Sequence, residues 1–204
     1  SIYRTAIWRR LEAVYFMGIL FEAFQPVIPI FVVIFMLITV ITMMINTKNG
    51  YQLDSISKKI KYLSVIGLTM SLVGIFLVTL MPTSNDSDIV QMTPFESIKD
   101  LWYYATTEAL INSVLMNIVL FIPASFFLYI IIRKELLTTI LCLLLSIFIE
   151  TMQYLMPIGR ITSIDDTILN SIGGITGVLL GIIFLKFKNV YYALFGGKQR
   201  NNIK

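Results

Sequence analysis

Four stretches of this chain, about 26–45, 62–81, 137–156 and 167–187, run almost without a charge. A helix needs about 20 residues to cross some 30 Å of hydrocarbon, and lipid-exposed backbone must satisfy its polar groups within its own segment. A fifth stretch, about 110–132, qualifies in spite of Asn112, Asn117 and Pro123. The pattern therefore predicts an all-α fold: a polytopic integral membrane helical bundle of about five transmembrane helices. Residues 1–24 do not fit a span. Arg4, Arg9, Arg10, Glu12 and Glu22 bracket the short apolar stretch "AVYFMGILF", which reads as an N-terminal interfacial or re-entrant helix. The alternative is a sixth, irregular span at 11–24. The segment behind Ser1 has no small-residue cleavage pattern and does not read as a signal peptide.

Composition agrees with the runs. The chain is 57% hydrophobic and only 14% charged, with a mean hydropathy of +0.82, whereas an ordinary soluble domain carries about 25% charged residues. A net charge of +4 does not point to nucleic acid, because the basic residues flank apolar runs, where they set orientation. Lys48, Lys58, Lys59 and Lys61 fall in 46–61, Arg133 and Lys134 in 133–136, and Lys186, Lys188, Lys198, Arg200 and Lys204 toward the C-terminus. All three regions are expected on the cytoplasmic side. The loop 82–109 has Asp86, Asp88, Glu96, Asp100 and Glu108 against Lys99 alone and is expected outside. Five alternating spans satisfy this, and only the three N-terminal arginines disagree. With a single cysteine, Cys142, in an apolar run and no histidine, neither a disulfide framework, a Ser-His dyad nor an HExxH zinc site is available.

The outer loop contains "TPFESIKDLWYYATTEAL". Thr93, Pro94 and Glu96 predict a capping box with proline at the first helical position. Trp102, Tyr103 and Tyr104 suit the headgroup belt, so this segment is expected to be an interfacial helix.

Polar residues then gather at one end of the spans. By helix rise, Asn117 lies ~10 Å, Glu150 ~9 Å and Asn170 ~7 Å below the outer ends of their helices, which predicts that they meet at one depth. Gln153 is one turn above Glu150 and Asp166 one turn above Asn170, and Arg160 lies in the link between. An ionisable group inside a span costs about 2.5–3.5 kcal/mol on insertion scales and turns inward to a partner. The cluster is expected to form an outward-opening funnel. Each member also has a structural alternative. Asp165 and Asp166 favour a helix dipole, with Ser163 as cap. Asn117 and Asn170 can hold helices together, Arg160 can anchor at the headgroups, and Glu150 can form a buried hydrogen bond with Gln153. Gly173, Gly177 and Gly181 form a small-residue seam, with Gly174 beside them, and Pro123 is expected to kink the third span or free a carbonyl near Asn117.

"MTPF" at 92–95, "NIVLFIP" at 117–123, E-x-x-Q at 150–153, "GR" at 159–160, "DD" at 165–166 and N-x-x-GG-x-x-G at 170–177 together resemble the VanZ-like family over about 62–187. The chain departs from the family at Ser125, where glycine is common. The resemblance implies a multi-pass protein of a bacterial cell membrane, in a Gram-positive envelope, of a family whose namesake is linked to resistance to the glycopeptide teicoplanin. It implies a VanZ-like membrane domain at 62–187. The apolar runs and loop charges add 1–61, with the amphipathic segment, first transmembrane helix and basic cytoplasmic loop, which the family pattern does not cover, and a basic cytoplasmic tail, 188–204. The resemblance supplies no mechanism.

Three functions compete. In the first, the protein handles a lipid-linked envelope molecule, with Glu150 and Asp166 as acid–base groups and Gln153 and Asn117 orienting Glu150. Arg160 then holds a phosphate or carboxylate, and Asn170 completes the pocket. Asp165 and Asp166 could hold a divalent cation on that phosphate; no protein metal centre is expected. In the second, the same funnel binds a membrane lipid or lipoglycopeptide without chemistry. The third, a small transporter, lacks inverted repeats. Orientation is testable directly. Single cysteines at Ser57 and Ser87 are expected to label from opposite sides of intact cells, Ser87 from outside, while Cys142 stays silent. Equal labelling of both by an impermeant thiol reagent overturns the five-span arrangement.

Overall fold

The computed structural model describes residues 25, 28–48, 56–82, 90–156 and 162–195. Helices cover all five expected runs: α1 (Ile28–Lys48), α2 (Ile56–Thr79), α4 (Thr107–Ile132), α5 (Glu135–Leu155) and α6 (Ile164–Phe195). A short helix, α3 (Glu96–Tyr104), lies in the expected outer loop. The segments Ile56–Thr79, Ser113–Ile132, Glu135–Leu155 and Ile164–Tyr191 are long and apolar enough to cross a membrane; α1 contributes the shorter apolar stretch Ile28–Ile41. Between 22% and 44% of each long span's apolar window is buried, so most of each window faces outward, as lipid rather than water requires. The protein is a multi-pass membrane bundle. The expected N-terminal interfacial or re-entrant helix falls outside the described residues.

The ends of these helices follow from local chemistry. Thr106 caps α4, its side chain accepting the Ala109 N–H at 3.2 Å. The other end of α4 closes on Arg133 in a left-handed conformation, φ 60°, with its N–H on the Tyr129 carbonyl. That reversal lets α5 start after only Arg133 and Lys134, which makes α4 and α5 antiparallel neighbours. At 32 residues, α6 is ~48 Å long and continues well past residue 188, where the sequence suggested a tail. α4 runs unbroken through Pro123.

Packing centres on α4 and α6, whose contact is the most extensive in the bundle. A Cβ on Gly173 would lie 2.2 Å from the Ile118 carbonyl oxygen, and one on Gly177 2.3 Å from that of Ile122. The two backbones are thus in direct contact, the arrangement that small residues permit in a bilayer. Ser125 fits this seam, its hydroxyl facing Gly177 and donating to the Ile122 carbonyl at 3.0 Å. Phe121 and Ile149, with Ile75, Leu120, Ala124 and Cys142, form one core layer; Tyr129, Ile130, Val178 and Leu185 form another.

One element has no counterpart in the sequence pattern. β1 (Val90–Gln91) pairs in parallel with β2 (Thr162–Ser163), Val90 against Thr162 and Gln91 against Ser163. This two-residue ladder ties the chain before α3 to the link between α5 and α6.

The seam predicts an asymmetry between glycines. Gly177→Ala is expected to destabilise the detergent-solubilised protein by about 1–3 kcal/mol, because the clash is with backbone. Gly74→Ala meets only the Phe31 ring at 3.4 Å and is expected to be neutral or slightly stabilising, since alanine is the better helix former. Equal unfolding temperatures for the two variants would remove the seam as the organising contact.

Candidate functional site

Glu150 sits in the second-last turn of α5, 8% exposed. Its Oε2 accepts the Ser163 backbone N–H at 3.1 Å. A carboxylate in a span is tolerable only with such partners, and β2 supplies one because its extended backbone presents amides sideways. Glu150 also forms one wall of a cleft of about 240 Å³, with Met92, Thr151, Tyr154, Ser163 and Thr167. Tyr154 is exposed on the lipid-facing side of α5, so the cleft opens between α5 and α6 toward the surrounding membrane.

A second cavity, about 340 Å³, lies across the ladder and is lined by Gln91, Ser97, Asp100, Tyr104, Ser113 and Asp166, among others. Asn117 Nδ2 donates to Asp166 Oδ1 at 2.7 Å, fixing that carboxylate to α4. Ser163 borders both cavities. The Ser97 hydroxyl donates to Gln91 Oε1. Ser163 and Ser97 hydroxyls are 2.6 Å apart, so Ser163 is the donor of that pair, and Ser163 Oγ accepts the Asp165 N–H at 3.1 Å. Gln91 Nε2 reaches Asp100 Oδ2 at 3.3 Å. A continuous hydrogen-bonded line therefore runs from Asp165 through two serines and a glutamine to Asp100.

Asp165 serves a different purpose from the one its sequence position suggested. It is 1% exposed, and its two oxygens accept the Phe95 and Ile98 backbone N–H groups of the α3 start. The expected capping box is overturned: α3 begins at Glu96, after Pro94, and Phe95 at its N-cap has φ 64° and no side-chain cap bond. The left-handed turn at Phe95 brings its N–H into line with Ile98's. A carboxylate from another helix then satisfies both orphan donors and meets the positive end of the dipole. Asp165 and Asp166, adjacent in sequence, hold different helices.

The single depth expected for Asn117, Glu150 and Asn170 resolves into layers. Asn117 is level with Asp166, and Glu150 with Ser163. One turn deeper, Asn170 Nδ2 donates to Ser146 Oγ at 2.9 Å. One turn above Glu150, Gln153 Nε2 donates to the Thr79 carbonyl of α2 at 2.9 Å. The orienting roles expected of Gln153 and Asn117 toward Glu150 are therefore corrected: Gln153 tethers α5 to α2, and Asn117 holds Asp166. Gln153 Oε1 and Asn170 Oδ1 are buried acceptors without a partner among the described residues. Arg160 lies outside those residues. Sequence reading missed Ser97, Gln91, Ser146 and Thr79 as members of the network. Ser146, one turn before Glu150 in an apolar run, carried a usable signal; Ser97 and Gln91 depend on the ladder, and Thr79 on how α2 packs against α5.

Comparison with known proteins gives one positive finding. The family model described as VanZ/LLP1 matches residues 29–185, well over half of the chain, and the match begins inside α1, ahead of the motifs that carried the resemblance. No curated protein and no solved structure matches.

The Asp165 clamp can be tested apart from function. Asp165→Ala removes both acceptors, and loss of a capping carboxylate costs about 0.5–2 kcal/mol. Amide hydrogen exchange over Glu96–Tyr104 is expected to speed up by roughly tenfold, while α4 and α6 amides remain protected. Unchanged exchange in α3 would show that it is held by other contacts.

Proposed function

The chain belongs to the VanZ/LLP1 family, and we propose on that premise that it recognises the polar end of a lipid-linked cell-envelope molecule, or of a lipoglycopeptide, in the cleft beside Glu150. One observation carries this reading. A buried carboxylate forms the wall of a mostly apolar cleft that opens toward lipid near the ends of two spans. An amphiphile can approach such a cleft without leaving the bilayer, its chains staying in hydrocarbon while its polar end meets Glu150. A carboxylate accepts hydrogen bonds from hydroxyl, amide or ammonium groups, the donors that envelope sugars and peptides offer. Arg160, in the link between α5 and β2, is the proposed partner for a phosphate or carboxylate of the same molecule. Asp166, held by Asn117, borders the neighbouring cavity and extends the polar surface toward α3. Glu150 and Asp166 are also the groups that would carry acid–base chemistry on such a ligand. The proposed cellular consequence is lowered sensitivity to teicoplanin, whose lipid tail distinguishes it from vancomycin.

Expression in a susceptible Gram-positive host is expected to raise the inhibitory concentration of teicoplanin more than that of vancomycin. Glu150→Gln keeps an acceptor for the Ser163 N–H, so the variant is expected to reach normal membrane levels and to lose the effect. An unchanged inhibitory concentration for both drugs at good expression counts against the resistance reading. Full resistance in Glu150→Gln at normal membrane levels removes Glu150 from the recognition site.

A further inference from the structure

A concavity larger than either polar cavity lies away from the polar end. A groove of about 690 Å³ lies between α1, α2 and α4, and every lining residue but Ser71 is apolar. Its floor is one face of α2, where Gly67, Ser71 and Gly74 keep side chains short. Phe31 and Phe35 of α1 and Phe127 of α4 form its rims. Pro123 also lines it, exposed, and because proline has no N–H, the Val119 carbonyl one turn earlier loses its helical donor beside the same groove.

The groove differs from the ordinary lipid-facing surface of the bundle in shape. Leu143 of α5 and Leu179 of α6 are exposed on outer faces and line none of these cavities. Here three helices enclose a channel. From Leu63 to Val78 it follows α2 for ~22 Å by helix rise, whereas half of the bilayer's hydrocarbon is ~15 Å thick. One whole acyl chain of one leaflet fits along it. Hydrocarbon, not water, is the solvent at this depth, so the occupant is drawn from the membrane.

Charge selects which lipid. Lys59 lies on the same face of α2 as Leu63, Ile66 and Met70, one turn beyond the end of the groove. It is exposed, and its ammonium has no side-chain partner among the described residues. Lys58, Lys61, Lys186 and Lys188 surround the same end of the bundle; Lys188 reaches Ser57 at 3.4 Å. Lysine at the mouth of an apolar channel matches a phosphate-bearing, net-anionic headgroup whose chain enters the channel.

We infer that the α1–α2–α4 groove is a binding site for one acyl chain of an anionic phospholipid, whose headgroup is held at Lys59. This site opens at the basic end of the bundle and is separate from the Glu150 cleft, so neither reading depends on the other.

The test uses the full-length protein in vesicles of phosphatidylglycerol or phosphatidylcholine, each with a trace of phospholipid bearing a photoactivatable group on its acyl chain. Adducts are mapped by mass spectrometry. The expected result is labelling concentrated on groove residues of α1, α2 and α4, stronger in the anionic vesicles and saturable by unlabelled phosphatidylglycerol. Lys59→Glu is expected to weaken that preference about fivefold, the weight of one lysine at an anionic surface, and Ser71→Leu to fill the floor and reduce the adduct itself. Labelling spread evenly over Leu143, Leu179 and the other outer faces, without saturation, overturns the site, as does exclusion of lipid from the groove by a second copy of the chain. If Ser71→Leu fails to fold, the surface variant Lys59→Glu still decides: an unaltered headgroup preference overturns the assignment. Glu150→Gln is expected to leave this labelling unchanged, so loss of one site is not mistaken for loss of the other.

Discussion

The backbone contact between α4 and α6 sets where everything else in the bundle can lie. With Gly173 and Gly177 pressed against the Ile118 and Ile122 carbonyls, the register of the two helices is fixed, because a shift by one residue would put a side chain where no space exists. That register places the first turn of α6 beside Asn117. It also carries β2, immediately ahead of α6, to the level of Glu150 on α5. In lipid, where the hydrophobic effect does not drive helices together, close packing and interhelical hydrogen bonds must supply the association. Here the two are consecutive: the glycines bring the backbones close, and the polar groups above them lock the ends.

The polar end uses few residues for many connections. Ser163 donates its N–H to Glu150, accepts from Asp165 and shares a hydroxyl contact with Ser97. Asp165 then satisfies the start of α3. A chain of partners thus links α5, β2, α6 and α3. Where the donor itself is buried, as for the Ser163 N–H on Glu150, breaking the bond leaves it unsatisfied, at a cost of about 1–3 kcal/mol. The same density of bonds preorganises the walls of both cavities. A cleft whose carboxylate is already positioned loses little further freedom when a ligand arrives.

Membership of the VanZ/LLP1 family and this geometry bear on different questions. The family places the chain among membrane proteins of one type. The geometry distinguishes residues that hold the scaffold from those that face a cavity: Gln153, Asn170 and Asp165 are committed to α2, α5 and α3, while Glu150 and Asp166 each line one. The lipid-facing groove on the far side of α4 adds a second kind of surface, apolar along its length and basic at its mouth.

The helices themselves were legible in the chain because hydrocarbon imposes a length and a composition on each span, a local requirement that any run of about 20 residues either meets or fails. The glycine seam was legible for the same reason: small residues at four-residue spacing share a face whatever the partner. The polar residues were recognisable as a group, since Glu150 in a span demands an explanation from its own segment alone. Their pairing was not. Asn117 choosing Asp166, Gln153 reaching Thr79 and Asp165 capping α3 depend on how helices far apart in sequence are registered. The two-residue ladder of Gln91 and Ser163 has no periodicity from which to read it. Partner choice in a membrane bundle is a property of the assembled interface, and only the tertiary structure decides it.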